Sequence, residues 1–355
     1  LHGRSRGVDR RNEISLCREG KLETMTSLTQ LQMMSNLRRL DGVKTEQYEA
    51  TSQYAGENET FWDGVCLFFR ARGKDVLVLT GGTWRVVGFC LMRSLWPFSP
   101  CKLVAVDFIL SRPQSWKQSI IAWVKGLLLK KVDRFILHFK DTSEYERIYG
   151  ISPSKCIFVP FKVNYWEKLS PEDRSSEVEE YIFTAGRSYR DFPTFIEAMR
   201  RVDYPGLLLY EEAVLLKRSA TDVDLSNLPA NVTAKKNEGE QSWVDYIRRA
   251  KIVVVPLLPS TMYAPGLSLY LMAMAMKKCV IVTEGLATRG MLKDEAVIVA
   301  PKDPEALAAA VARVWNDDAL RHRTAESGRR YAERCGGESR LLSDIVRVCG
   351  ELCMP

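Results

Sequence analysis

From residue 74 onward, short apolar runs alternate with amphipathic segments. The runs at 75–80 and 102–106 are rich in valine and leucine and end at Gly81 and Asp107. Continuous apolar runs of this kind are typical of parallel strands buried on both faces of a sheet. The pattern predicts further strands at 134–139 and 156–160, and helices at 84–95, 115–131 and 142–149.

The same alternation restarts after a polar segment at 166–179, which we interpret as a linker. Strands are predicted at 180–185, 206–210, 231–235, 251–257, 279–283 and 296–300, and helices at 192–201, 241–250, 267–276, 304–315 and 319–334. Two halves of alternating strands and helices predict an α/β fold of two Rossmann-like domains. Ligands are expected in the cleft between them, at the carboxyl ends of the strands.

The predicted boundaries follow from these patterns. Residues 1–44 show no clear strand pattern and are predicted to form an irregular or helical extension, with a helix-like stretch at 22–40. The N-terminal domain then spans 45–165, the C-terminal domain 180–335, and a C-terminal helix 336–355.

Composition narrows the class of protein. The chain has 355 residues, enough for two domains, and its 46% hydrophobic and 27% charged residues exclude a disordered or collagen-like chain. Nine cysteines without a CxxC pair, with only three histidines, argue against a structural zinc site. Reduced thiols fit a cytoplasmic protein best.

An uncharged run at 252–276 has the length of a membrane span. Pro256, Pro259, Pro265 and Gly266 interrupt it, and proline opposes a continuous helix. We therefore predict a strand, a loop and a buried helix here. No signal peptide follows the early arginines, so a soluble protein is expected.

Two arginines follow the strand predicted at 180–185. Gly186 and Arg187 stand at the strand end, and Arg190 precedes a predicted helix start near Asp191. Guanidinium groups and helix amides both donate to phosphate oxygens, so this pattern suits an anion. The alternative is a pair of solvated surface arginines.

A second segment could also contact a ligand. The loop before the helix at 267–276 could present amides and hydroxyls to it, through Ser260, Thr261, Gly266 and Ser268. The Met/Leu-rich helix itself is expected to be core.

Together and in this order, these segments resemble the C-terminal domain of family-4-like glycosyltransferases of the GT-B fold. Arg187 matches the family's arginine and Arg190 its usual lysine, a pair that grips the donor diphosphate. The loop from Asn237 to Gly239, before the predicted helix of Trp243, resembles the edge where the nucleotide base rests. The resemblance covers 180 to about 335 well and 74–165 more loosely.

The resemblance implies transfer of a sugar from a nucleotide sugar to an acceptor hydroxyl, without a metal or other cofactor. A glycan, a lipid-linked molecule or a small molecule could be the acceptor. One departure is marked. The family's paired glutamates would fall at Ala264 and Met272, or in another register at Tyr263 and Leu271, so neither register supplies a carboxylate.

The resemblance implies that the second glutamate normally holds the ribose hydroxyls. Glu284, at the next strand end, could take over this role, or it could be a solvated loop residue. The alternatives to a transferase are a non-catalytic GT-B relative that serves as a binding subunit and a nucleotide-sugar epimerase on the same fold. No nucleic-acid-binding motif is recognisable, which argues against a nucleic-acid-binding role. No Gly-x-Gly-x-x-Gly follows a strand, which argues against a dehydrogenase.

Asp107 stands at a strand end in the half expected to bind the acceptor. Family members often carry histidine in the corresponding place. A carboxylate there could accept the proton of the acceptor hydroxyl as a general base, or it could cap a turn. His138, inside an apolar strand, is interpreted as a core or cleft-edge residue.

The helix predicted at 115–131 carries tryptophans and lysines. Residues 112–140 hold seven Lys or Arg and one Asp, a net charge of +6, close to the whole chain's formal +7. One face of the helix is apolar: Trp116, Ile120, Trp123, Val124, Leu127 and Leu128. This face could lie on an anionic membrane, which would make the protein peripheral, or it could pack on its own sheet.

Overall fold

The computed structural model describes residues 28–96, 101–169, 179–212, 221–259 and 262–354, apart from the side chains of 240 and 241. The described strands form two six-stranded sheets, and every strand pair in them is parallel. Each sheet is covered by helices, which confirms the predicted α/β architecture of two Rossmann-like domains.

The first sheet has the order β2-β1-β3-β4-β5-β6. Its strands are β1 Thr29–Ser35, β2 Tyr48–Tyr54, β3 Val76–Thr80, β4 Lys102–Val106, β5 Arg134–Leu137 and β6 Cys156–Phe158. Its helices are α1 Phe61–Arg70, α2 Thr83–Leu95, α3 Trp116–Leu129 and α4 Ser143–Tyr149. The run Val76–Leu79 is fully buried, as its uninterrupted apolar sequence predicts.

The second sheet has the order β12-β11-β10-β7-β8-β9. Its strands are β7 Ile182–Ala185, β8 Gly206–Tyr210, β9 Val232–Lys236, β10 Ile252–Val255, β11 Cys279–Thr283 and β12 Val297–Val299. The helices of this half are α5 Phe192–Met199, α6 Glu240–Arg249, α7 Leu267–Ala275, α8 Pro304–Asn316, α9 Asp318–Cys335 and α10 Glu338–Cys353.

The prediction of a helix at 22–40 is wrong for the second half of that segment. Residues Thr29–Ser35 form β1, which pairs with both β2 and β3 inside the first sheet rather than in an extension. The strand buries Leu31 and Met33 and exposes Gln32 between them, and its last two residues, Met34 and Ser35, are buried as well. Leucine, methionine and glutamine favour helices in isolation, so tertiary pairing overrides local preference here. Residues 1–27 lie outside the described part of the chain.

The last helix returns to the first domain. Leu342, Ile345 and Val346 of α10 share one buried cluster with Leu31 of β1 and Val104 of β4. The helix α10 therefore completes the core of the first domain, together with β1 and β4.

None of the helices in the described ranges is long and apolar enough to cross a membrane. The uncharged stretch at 252–276 forms β10, a loop and the buried helix α7, with residues 260 and 261 outside the described part.

Candidate functional site

A cavity of about 540 Å³ lies between the two domains, where the carboxyl ends of strands from both sheets meet. The first domain contributes Asp107 and His138, and the second contributes residues that follow β7, β8 and β9 and those that begin α7. We call this cavity the cleft. Its position is the one expected for a ligand site in paired Rossmann-like domains.

The turn after β7 brings the predicted anion-binding residues to the cleft. Gly186, Arg187, Ser188 and Arg190 all line it. Gly186 has a φ of +119°, and a Cβ there would lie 2.4 Å from Nε of Arg190. Only glycine therefore fits here, because both the backbone angle and the space exclude a side chain.

Arg190 is buried, with 5% of its surface exposed. Its Nε donates to the carbonyl of Ala185 at 2.8 Å and its Nη1 to the carbonyl of Ser188 at 2.8 Å. Burial lowers the pKa of this guanidinium to about 10, so it stays protonated at neutral pH. A cation that its fold partly desolvates and holds in place is well suited to bind an anion.

Arg187 differs from Arg190 because its side chain is exposed. Its backbone carbonyl accepts a hydrogen bond from the hydroxyl of Thr221. The oxygen of the same hydroxyl accepts a hydrogen bond from the backbone N–H of Arg190. Thr221 therefore holds the turn with two hydrogen bonds, while the side chain of Arg187 is exposed to solvent. The cleft is lined by one buried arginine and one exposed arginine.

The first domain presents Asp107 on the opposite side. Asp107 follows β4, has a φ of +48°, and donates its backbone N–H to the carbonyl of Ile136 at 2.9 Å. Tyr263 links the two sides electrostatically: burial and then the charge of Asp107 raise its pKa, whereas Arg190 and Arg187 lower it. The carboxylate and the two arginines thus act on one part of the cleft.

His138 lies at the edge of the cleft and is 2% exposed. Its Nδ1 is 2.9 Å from the carbonyl of Val159, and its ring packs edge-on against Phe161 at 5.0 Å. Since a carbonyl only accepts, this contact requires a proton on Nδ1. The structure agrees with the interpretation of His138 as a satisfied histidine at the cleft edge.

One corner of the cleft combines the predicted base-binding loop with Glu211, a residue that the sequence did not identify. Glu211 follows β8 and accepts a hydrogen bond from Nδ2 of Asn237 at 2.7 Å, and both line the cleft with Trp243. The predicted residue Gly239 also lines this corner and has a φ of +127°. An acidic residue at a strand end was the available signal for Glu211.

The predicted residues of the second segment are only partly placed here. Gly266 and Ser268 line the cleft, and the Ser268 hydroxyl accepts Nδ2 of Asn164 from the first domain at 2.6 Å. Ser260 and Thr261 lie outside the described residues. Glu284 does not line the cleft; it is exposed and pairs with Arg289 at 3.6 Å, so the structure does not support its compensating role.

Within the described ranges, no three His, Cys, Asp or Glu side chains are grouped so that they could hold a metal ion. The charged groups that face the cleft from the second domain include the two arginines and Glu211. The chemistry that this lining offers is anion binding on one side and proton acceptance on the other.

Comparison with known families finds a match in the second domain. Residues 181–317 match the family model described as Glycosyl transferases group 1. The second domain is similar to the group 1 glycosyltransferases. No curated protein sequence matches the chain.

Solved structures extend the likeness to both domains. The chain is similar to a glycosyltransferase from Rickettsia africae, with 14% identity, a TM-score of 0.60 and 85% of each chain covered. Sucrose-phosphate synthase from Thermosynechococcus elongatus has 16% identity and a TM-score of 0.62, over 88% of this chain and 86% of that one. Anabaena HepE, solved in complex with UDP and glucose, has 11% identity and a TM-score of 0.60, over 86% of each chain. The chain therefore has the GT-B fold.

The second domain departs at the start of α7 from the pattern that the resemblance predicts. Ala264 and Met272 both line the cleft, and so does Tyr263 of the alternative register, whereas Leu271 does not. The lining at the second position therefore favours the register of Ala264 and Met272. The thioether of Met272 lies 3.9 Å from the Ser268 hydroxyl, where the resemblance predicts a carboxylate.

Proposed function

We propose that this protein transfers a sugar from a nucleotide-sugar donor to an acceptor hydroxyl. The observation that carries the proposal is the opposition of Arg187 and Arg190 to Asp107 across one cleft between two domains. The family match of the second domain and the neighbour solved with UDP support it.

In this proposal the donor diphosphate lies against the turn after β7. Arg190 and Arg187 stabilise the negative charge that grows on the diphosphate as its bond to the sugar breaks. The helix α7 begins at Leu267, directly after Gly266, which has no side chain to cap it, so the first amides of the helix contribute to the same positive region. These groups supply the cationic stabilisation without a required metal or other cofactor.

Asp107 is the proposed general base. The acceptor oxygen bonds to the anomeric carbon, its proton passes to the Asp107 carboxylate, and the bond from that carbon to the diphosphate breaks. The electron pair leaves with the nucleoside diphosphate. The acceptor enters from the first domain and is a glycan, a lipid-linked molecule or a small molecule.

The nucleoside is proposed to occupy the corner of Glu211, Asn237, Gly239 and Trp243. Glu211 can accept hydrogen bonds from ribose hydroxyls and Trp243 can pack against the base. A carboxylate from β8 would then serve where the family's second glutamate is replaced by Met272.

Ligand-dependent thermal stability tests donor binding directly. UDP, GDP and ADP, each alone and as a sugar conjugate, are added to the full chain. One nucleoside diphosphate should raise Tm, since a ligand that binds only the folded state stabilises it. The Arg187→Ala and Arg190→Ala variants should lose this rise, whereas Arg323→Ala, on the exposed surface of α9, should keep it. No rise with any nucleotide would contradict the proposal.

A binding subunit without turnover is the second candidate, and the apolar pair Ala264 and Met272 favours it. The two candidates differ in one measurement. A transferase releases nucleoside diphosphate from the donor that stabilises it, whereas the binding subunit is stabilised by that donor and releases none. Conversion of the bound sugar into its epimer would instead indicate the epimerase alternative.

The compartment is also proposed as cytoplasmic. The eight cysteines in the described ranges are free, and most are buried. Free thiols in this number are typical of a reducing compartment.

A further inference from the structure

Helix α3 turns its largest apolar side chains toward solvent. Its buried residues are small or at the helix end: Ala122, Gly126 and Leu129. Gly126 lies so close to α4 that a Cβ there would be 2.3 Å from the carbonyl oxygen of Tyr149. The helix therefore packs on the domain through its small residues, and the bulky apolar face points away.

The exposed fractions on that face are large. Trp116 is 70% exposed, Trp123 63% and Ile120 53%. Single exposed apolar residues need no explanation, but a contiguous group of them marks an interaction site. We define the apolar surface as Trp116, Ile120, Ile121, Trp123, Val124 and Leu127 of α3, with the neighbouring exposed residues Trp84 and Ile109.

Two contacts join the neighbours to α3 and to the loop before it. The ammonium of Lys125 lies 4.1 Å from the centre of the Trp84 ring. The hydroxyl of Thr83 donates to the carbonyl of Ile109 at 3.1 Å, which holds the start of α2 against the loop after β4. The apolar surface therefore includes parts of three consecutive segments of the first domain.

Basic residues occur on the same part of the domain. On a helical projection Lys117, Lys130 and Lys131 lie within or beside the arc of the exposed apolar residues, and Trp116–Leu129 contains no acidic residue. Tryptophan and lysine around an exposed aliphatic face fit a lipid interface, where the ring is partly buried and the ammonium meets headgroup phosphates. A protein–protein interface, by contrast, is depleted in lysine relative to the rest of the surface.

We propose that the apolar surface binds an anionic phospholipid bilayer and makes this protein a peripheral membrane protein. The aromatic and aliphatic side chains enter the interface, and the lysines neutralise anionic headgroups. Because the lysines interact electrostatically with the headgroups, the attachment depends on salt.

The surface also connects to the cleft. Ile109 stands two residues after Asp107, and the loop between β4 and α3 is held by the Tyr145 hydroxyl, which donates to the carbonyl of Phe108. If the proposed transfer is correct, the acceptor side of the cleft lies beside the bilayer, so an acceptor carried on a lipid is favoured. Only this preference for a lipid-borne acceptor depends on the proposed function; membrane binding does not.

Flotation of the full chain with vesicles tests the binding. Vesicles of phosphatidylcholine alone are compared with vesicles that also contain phosphatidylglycerol, at low and high salt. The chain should float with the anionic vesicles at low salt, and much less at high salt or with phosphatidylcholine alone. The variant Trp116→Ser with Trp123→Ser should lose at least tenfold in bound fraction at equal Tm, because both rings are exposed in the free protein.

Matched charge variants separate local from general electrostatics. Lys117→Gln with Lys130→Gln should weaken flotation severalfold. Arg323→Gln with Arg330→Gln, an equal charge change on α9, should leave it unchanged. Equal weakening by both pairs would overturn the proposal.

Three further outcomes would also overturn it. One is the absence of flotation at low salt. Another is flotation unchanged by the tryptophan variant. The third is a dimer, seen by analytical ultracentrifugation, that the tryptophan variant dissolves, since it would assign the surface to a second copy. Loss of nucleotide binding would contradict only the proposed function, because flotation needs no nucleotide.

Discussion

Asp107 is the residue on which the proposed chemistry depends most. Its φ of +48° directs the chain away from β4 immediately after the strand, and it lines the cleft opposite the arginines. We expect Asp107→Asn to lower kcat by about 10²–10⁴-fold, the usual contribution of a general base. The rise in Tm with nucleoside diphosphate should persist, because the diphosphate lies on the other domain.

The control for that variant is Asp141→Asn. Asp141 pairs with Arg289 at 3.5 Å and does not line the cleft. Equal turnover by Asp107→Asn and the unchanged protein, measured as released nucleoside diphosphate, would remove Asp107 from the reaction.

Lys278 is a half-buried cation with no assigned part in the site. Burial, and next the charge of Arg248, lower its pKa to about 8 from the usual 10.5. Between these values the unfolded chain binds more protons than the folded one, so the destabilising effect is full below about pH 8 and fades toward pH 10.5.

We therefore expect Lys278→Met to raise Tm at pH 7 by a few degrees, at about 2–4 °C per kcal/mol for a domain of this size. The gain should shrink when the melting curves are repeated at pH 9 and pH 10. Lys277→Met is the control, because Lys277 is exposed and pairs with Glu326. A gain that is constant with pH would show that packing, and not the buried charge, is responsible.

At the level of single elements, the sequence predicted the buried strands and the helices of the second domain closely. The strand predicted at 206–210 is β8, and the helix predicted at 304–315 is α8 with one further residue. The strand was predictable because a strand buried on both faces is a continuous apolar run in the sequence. The helix start was predictable because Asp303 is a typical capping residue, and it accepts a hydrogen bond from the backbone N–H of Ala306.

Where prediction was wrong, long-range packing decided the outcome. β1 lies between β2 and β3, and only that pairing makes a strand of a segment rich in helix-forming residues. Glu211 was missed for the same reason, since its meeting with Asn237 and Trp243 depends on how β8, β9 and α6 are arranged. The two arginines could be predicted because they lie within one short turn.

Helix α3 allows a direct test of which of its faces packs. Gly126→Val forces a side chain toward the backbone of Tyr149, and we expect it to lower the free energy of unfolding by about 1–3 kcal/mol or more. Ile121→Ala and Val124→Ala, on the exposed face, should each change it by less than about 0.5 kcal/mol. Urea unfolding measures all three. The reverse order would mean that the large apolar residues are the packed ones, and the apolar surface would not exist in solution.

At the scale of the whole molecule, the order of the chain ties the two domains together. The chain leaves the first domain before β7 and comes back through α10, whose start is held by Glu338 between Lys162 and Arg39. Lys162 Nζ lies 2.8 Å from one carboxylate oxygen of Glu338, and Arg39 Nη1 lies 2.6 Å from the other. The two domains that enclose the cleft are therefore connected twice along the chain, once before β7 and once before α10.

Gly350 in α10 allows a measurement of how much this helix contributes to the stability of the first domain. A Cβ at Gly350 would lie 2.5 Å from the buried ring of Tyr48 in β2, and no small movement of that ring relieves the contact in a packed core. Gly350→Ala should therefore lower the stability of the first domain by about 1–3 kcal/mol, although the substitution lies at the opposite end of the sequence. Hydrogen exchange should show faster amides in β1, β2 and β4 before any change in the second sheet. Gly285→Ala, whose Cβ would meet no atom within 4 Å, is the matched control. Faster exchange confined to the second sheet would mean that α10 stabilises the second domain. The buried cluster that α10 shares with β1 and β4 would then not stabilise the first domain.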